Sequence, residues 1–382
     1  MRQSVEGTLT ELVRINSISS RTNDKIISYL KARSEALGLR VKLLPYSDER
    51  GIQKTNMIAL AGIMESDFSL NAKDVELALV GHTDTVPFDP SWRTALQLTE
   101  RGGALYGRGA CDTKGFVAAA LIAVESVDLT KLRRPLALVF TADEETGCMG
   151  AKELVKANAL RARYSIIGEP TSLQPMRAGK GYCLAEIIVR GREGHSAYPA
   201  LGASAIMRAA RLIHSLERIG EELKNQTHAD FDPPYTTINI GLITGGTVKN
   251  IIAGECRFTL EWRPIPGQSA RRVLDLVEQA IADERWRDSD FNCEIKPARI
   301  DESVETLNDS PLVRFLEEAT GKRAGTVAFG TEAAQMQRLG AQTVVVGPGN
   351  IRTAHRTDEC VPIAELHMCV RVLARAIERF CL

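Results

Sequence analysis

No CxxC pair occurs in the chain. Its eight cysteines (Cys111, Cys148, Cys183, Cys256, Cys293, Cys360, Cys369 and Cys381) are scattered. That argues against a thiolate zinc site and against a disulfide framework. Charge of one sign is not in excess either, with 48 basic and 48 acidic residues. A broad nucleic-acid or anionic-membrane surface is therefore not expected. No apolar run approaches the roughly 20 residues of a membrane helix. The opening MRQSVEGTLTELV carries early charges and no apolar h-region, so no secretory signal is expected. A reducing, cytoplasmic setting follows as the default. Internal repeats and low-complexity tracts are missing too.

What is present is ordinary globular composition, 44% hydrophobic and 25% charged. At 382 residues the chain is too long for one ordinary core, and two domains are expected. Helical spacing of apolar residues marks 4–15 and 24–38, with Asp24 placed to cap the second helix and Gly38 to end it. Short β-type runs follow at 40–45, 56–62 and 75–81. A polar, glycine-rich connection, 91–115, leads to a helix pattern at 116–127. The strand 136–140, a helix at 149–159 and the strand 164–167 continue the alternation. Such alternation predicts a mostly parallel sheet covered on both faces.

The character changes near residue 180. Runs at 184–189, 237–240, 253–262 and 291–295 read as antiparallel strands, and 201–223 and 268–283 as helices. Helix 310–320, strand 343–346 and helix 363–379 then restore the first style. The expected fold class is α/β: a mostly parallel-sheet domain in two parts, 1–179 and 298–382. An α+β domain of two helices and four antiparallel strands, 180–297, is inserted into it.

Polar residues cluster where the apolar strands end. His82 and Asp84 follow the run Val75 to Val80, and Glu144 and Glu145 follow 136–140. Glu169 follows 164–167, Asp112 lies in the glycine-rich loop, and His355 comes shortly after the last strand. In a parallel sheet these C-terminal ends converge on one crevice. His, Asp and Glu suit a borderline metal such as zinc. Each residue also has a structural reading. A lone His at a strand end is usually structural. Asp112 can cap the helix after it, and Glu144 and Glu145 can be first-turn acids. Glu169 can be a turn residue, and His355 a surface one. The joint occurrence favours a metal site.

The strings GHTDTVP (81–87), GRGACDTKG (107–115), TADEETG (141–147), IIGEPT (166–171), GHSAYP (194–199) and TAHRTDE (353–359) resemble, in this order, the motifs of the M20 family of dinuclear-zinc peptidases and deacylases. The resemblance spans nearly the whole chain. It implies a metallohydrolase catalytic domain with an inserted dimerisation or lid domain. It implies two Zn2+ ions, with Co2+ as an alternative. One would be held by His82, Asp112 and Glu169, and the other by Asp112, Glu145 and His355. Asp84 would orient His82 through its other ring nitrogen. Glu144 would take the proton from the attacking water and pass it to the leaving amine. The histidine matching His195 crosses a dimer interface in the family and supports the oxyanion of the neighbouring site, which implies a homodimer. Arg263, in Glu261-Trp262-Arg263-Pro264, becomes a candidate fork for a substrate carboxylate, and Asn250 a candidate hydrogen-bonding partner.

Within the family, GHTDTVPFDP (81–90), IIGEPTSLQP (166–175), GTEA (330–333) and VVVGPGNIRTAHRTDE (344–359) look most like the branch that removes acetyl from N2-acetyl-L-ornithine in arginine biosynthesis. The expected partner is therefore a small N-acetylated amino acid, with no nucleic acid and no membrane. The desuccinylase branch carries GTSDGRF-like text where this chain has GTEAAQM (330–336). A broader N-acyl-amino-acid deacylase or a succinyl-diaminopimelate desuccinylase is the alternative. Arg356, beside His355, departs from the glutamine common in the acetylornithine branch and bears on which acyl or side-chain group is accepted. An inactive binding protein would show lost ligands or a lost base, and none is lost.

Overall fold

Four strands with almost no polar face build the centre: Lys73–His82, Leu136–Thr141, Leu160–Ile167 and Gln342–Val345. Such runs are stable only where both faces are covered. In the computed structural model, which describes residues 3–62 and 73–382, they pair in parallel. Six strands of this nine-stranded sheet run in the order Arg40–Ser47, Gln53–Ala61, Leu136–Thr141, Lys73–His82, Leu160–Ile167, Gln342–Val345. Arg40–Ser47 and Gln53–Ala61 are antiparallel additions at one edge. The register aligns the strand ends: His82 lies opposite Thr141, and Val80 opposite Ile167.

The helix Lys114–Ser126 is buried on nearly every side against the sheet, the helix Val5–Arg14 and the helix Ile363–Cys381. Its small residues Ala118, Ala119, Ala120 and Ala123 allow that close approach. Gly168 completes the fit, because a Cβ there would lie 2.0 Å from Phe116 Cγ.

The described chain forms two compact units, Met1–Arg177 with Thr306–Gly325 and Thr331–Leu382, and Ala178–Glu305 with Thr326–Gly330. The second unit has a four-stranded antiparallel sheet in the order Thr237–Gly245, Glu255–Arg263, Tyr182–Arg190, Asn292–Asp301. Burial alternates along Glu255–Arg263, as expected of a sheet covered on one face. Helices Ala205–Leu223 and Arg272–Arg287 share its core, which includes Ile187, Leu212, Phe258, Trp262 and Val277.

Several boundaries differ from the sequence reading. Residues 298–305 and 326–330 pack with the second unit. The strand Asn292–Asp301 runs on beyond Ile295, through an irregularity at Pro297, and pairs with Tyr182–Arg190 as far as Asp301. The helix expected from 201 starts at Ala205, where the Ser204 hydroxyl accepts from Met207 N. The helix expected over 268–283 occupies Arg272–Arg287. Asn23, not Asp24, takes the cap position of Asp24–Ala36, and its side chain exchanges hydrogen bonds with the Thr55 backbone at 2.8 and 2.9 Å. A small antiparallel sheet, Thr99–Arg101, Ala104–Tyr106 and Cys360–Pro362, was not foreseen.

Candidate active site

The first unit brings together all seven strand-end residues of the sequence reading. His82 ends its strand, buried, with Nε2 3.0 Å from Asp112 Oδ1. Asp112 Oδ2 lies 3.0 Å from His355 Nε2. His355 Nε2 also lies 3.1 Å from Glu145 Oε1. Two donor groups result, each with its ligand atoms within 4.8 Å of one another: His82, Asp112 and Glu169, and Asp112, Glu145 and His355. Asp112 belongs to both, and it turns a different oxygen to each histidine. It does not cap the helix Lys114–Ser126, where Thr113 takes the cap position.

Asp84 meets the other ring nitrogen of His82 chiefly through its backbone. His82 Nδ1 has the Asp84 backbone carbonyl at 3.0 Å, while the Asp84 carboxylate is 3.6 Å away. That carboxylate instead accepts from Glu144 N at 3.1 Å, Glu145 N at 3.3 Å and the Ser19 hydroxyl at 2.7 Å. It therefore holds the backbone that presents both acids.

The electrostatics describe a cluster with too many acids. Burial pushes Glu144 up to about 8, with Glu145 beside it adding to the rise. Burial raises Glu145 as well, and it raises Glu169 well above the usual range, helped by Asp112 and Glu144. Burial also raises Asp112, but its hydrogen bonds to His355 and His82 reverse this and leave it low. Burial lowers His82, yet Asp112 and Asp84 outweigh it and hold the ring well above its ordinary value. His355 is raised to about 10 by its hydrogen bonds to Asp112 and Glu145. Three acids that resist ionisation, beside a low Asp112 and two histidines drawn towards the cationic form, make a pocket suited to divalent cations. The all-N/O donor set fits such ions.

Glu359 escaped the sequence reading. Buried just before the strand Cys360–Pro362, it accepts from Cys111 N at 2.9 Å and Asp112 N at 3.0 Å. Its other oxygen accepts from Arg108 at 2.6 Å. It thus shapes the loop that carries Asp112. The only signal was its place four residues after His355 in TAHRTDE. Glu332 is likewise buried, and burial pushes it up to about 7.

His195, Asn250 and Arg263 belong to the second unit. His195 is exposed on a short strand paired with Ile251–Ile252. Its Nδ1 accepts from Ala197 N at 3.1 Å, which puts the ring proton on Nε2. The Asn250 carbonyl accepts from Ser196 N at 3.1 Å, so Asn250 adjoins His195. The Arg263 guanidinium lies over the Tyr182 ring and pairs with Glu261 at 2.9 Å.

A model of the peptidase family M20/M25/M40 matches residues 78–379. The chain belongs to the M20 peptidase family. It is 50% identical to the acetylornithine deacetylase of Myxococcus xanthus, over 99% of this chain and 98% of that one. Its fold is similar to that of a tripeptidase from Staphylococcus aureus, with a TM-score of 0.76, 23% identity, and 98% and 97% of the two chains covered. It is also similar to Bacillus subtilis YXEP, described as a dinuclear metal-binding peptidase of the M20 family, with a TM-score of 0.68, 14% identity and 98% of each chain covered. With this membership and its paired donor groups, the chain is a metal-dependent amidohydrolase. Among the described residues, no helix is long and apolar enough to cross a membrane.

Proposed function

We propose that this enzyme removes the acetyl group from N2-acetyl-L-ornithine, giving L-ornithine and acetate for arginine biosynthesis in the cytoplasm. The observation that carries this reading is the 50% identity to a protein of that name along essentially the whole of both chains. His82, Asp112 and Glu169 would hold one ion, and Asp112, Glu145 and His355 a second. Zinc suits these donors, with cobalt an alternative. When bound, such ions polarise the amide carbonyl and acidify water.

The chain's own residues do the rest. Glu144 stands outside both donor groups and accepts the proton of the attacking water, then gives it to the departing amine. Asp84 fixes the Glu144 and Glu145 backbone. Arg263 and Asn250 bind the substrate carboxylate and polar groups, and Nε2–H of His195 donates to the oxyanion in the site of a second copy. A homodimer is supported by the edge strand Thr237–Gly245, which exposes Leu242 at 71% and Ile243 at 54%. Unpaired, apolar strand edges invite pairing with another chain.

Kinetics on a panel of acetyl-, formyl- and succinyl-amino acids, with metal analysis, tests the substrate. N2-acetyl-L-ornithine is expected to exceed succinyl-diaminopimelate in kcat/KM by roughly 100-fold. Preference for the succinyl compound would remove this reading in favour of a desuccinylase. Flat rates across acetylated amino acids would favour a broader deacylase.

Mixing tests the shared site. His195→Ala and Glu144→Ala should each be inactive. In random heterodimers one of the two sites regains both residues, so roughly a quarter of wild-type activity should return. No recovery in heterodimers shown to form would rule against a histidine acting across the interface.

A further inference from the structure

Lys54 is a lysine with only 1% of its side chain exposed, on the strand Gln53–Ala61. A buried lysine is costly, and an apolar residue of its size would ordinarily serve stability better. Its ammonium group makes two contacts. Nζ pairs with Asp143 Oδ1 at 2.7 Å and donates to the Ser19 carbonyl at 2.7 Å. Those partners sit on either side of the Glu144 backbone. Asp143 immediately precedes Glu144 and is itself 1% exposed. Its φ is 56°, in the left-handed region that a non-glycine residue occupies only when its surroundings enforce it. Its second oxygen accepts from the Tyr46 hydroxyl at 2.9 Å. Ser19 donates to the Asp84 carboxylate, which in turn accepts from Glu144 N.

The contacts close a ring: Lys54, Ser19, Asp84, the Glu144 amide, Asp143 and back to Lys54. The same strand adds a second support, because Asn56 accepts from Ala142 N at 3.0 Å and donates to the Gly150 carbonyl at 2.8 Å. A strand that contributes no residue to either donor group thus braces both ends of the turn carrying Glu144.

We propose that Lys54 is a positioning residue for the reaction. It clamps Asp143 and Ser19, and through them sets the direction in which Glu144 leaves its strand. The proposal rests on the reading of Glu144 as the proton-transferring group. Lys54 does not touch substrate, so its effect falls on kcat and not on binding.

The experiment pairs kinetics with amide hydrogen exchange on the metal-loaded full-length enzyme. Lys54→Met, assayed well below its Tm and at a verified metal content, should lose kcat by roughly 10- to 100-fold with KM within about twofold, as expected for a small displacement of a reacting group. Exchange in the peptide covering 141–148 should rise roughly tenfold, while the strands Lys73–His82 and Leu160–Ile167 stay protected. A purely structural lysine would instead loosen all of these segments together. Tyr46→Phe removes only the hydroxyl on Asp143 and serves if Lys54→Met does not fold. It should show the same local exchange and a smaller loss in kcat. Wild-type kcat with unchanged exchange in the folded variant overturns the proposal. Failure of the substrate assignment would show separately, in the wild-type panel. The exchange pattern does not depend on which amide is cut.

Discussion

Glu144→Ala is expected to bind its metal ions as the wild type does and to lose kcat by about 10²- to 10⁴-fold, the usual contribution of a positioned general base. The geometry separates the two properties. Glu145, not Glu144, lies within reach of His355 and Asp112. Glu144 instead has the Cys148 thiol 3.4 Å from its Oε1, and its amide is fixed by Asp84. Deleting its carboxyl therefore removes no donor from either group. It also removes the carboxyl that burial, with Glu145 beside it, pushes up to about 8. The check is kcat and KM on N2-acetyl-L-ornithine with metal content measured on the same preparation. A near-normal kcat would refute the proton-transfer role. A low kcat with metal lost would move Glu144 among the ligands.

What could be read from the residues alone divides along a physical line. The candidate donors His82, Glu145 and Glu169 were legible because each follows an apolar run, and parallel strands deliver their C-terminal ends to one place; Asp112 and His355 lie in loops and were legible from their motifs. The parallel centre and the four-stranded second unit were legible from the same periodicities. Residues that act through backbone groups left no such trace. Glu359 reaches the amides of Cys111 and Asp112 from nearly 250 positions away, by way of a three-residue strand too short to show a pattern. Lys54 lies before the run at 56–62 and reads as an ordinary charged residue at a strand start. Asp84 was singled out, but spacing could not distinguish its carbonyl, which faces His82, from its carboxylate, which faces Glu144. The end of the inserted domain was misplaced because Pro297 interrupts the strand pattern. Proline marks edges and bulges, and Asn292–Asp301 is an edge strand that tolerates one.

Asp112→Ala should have the largest effect on metal content. Its two oxygens face His82 and His355, each at 3.0 Å, so one side chain serves both donor groups. Removing it leaves two donors in each, His82 with Glu169 and Glu145 with His355, fewer than the three protein ligands usual in catalytic zinc sites. Bound metal is expected to fall from about two ions per chain to less than one, with turnover down by more than about 10³-fold. The surrounding loop should survive, because Glu359 holds it through the Cys111 and Asp112 amides, which the substitution keeps. Chelation offers a second measure. A ligand at 100 times its Kd stabilises the folded state by about 2.7 kcal/mol, so stripping metal should lower the wild-type Tm clearly and the variant's hardly at all. Glu169→Ala is the control, since it takes a donor from one group only and should leave about one ion per chain. If Asp112→Ala kept two ions, or if its Tm responded to chelator as the wild type's does, Asp112 would not be the shared ligand. The two donor groups would then have to be regarded as separate sites, each completed by a residue from outside the set named above.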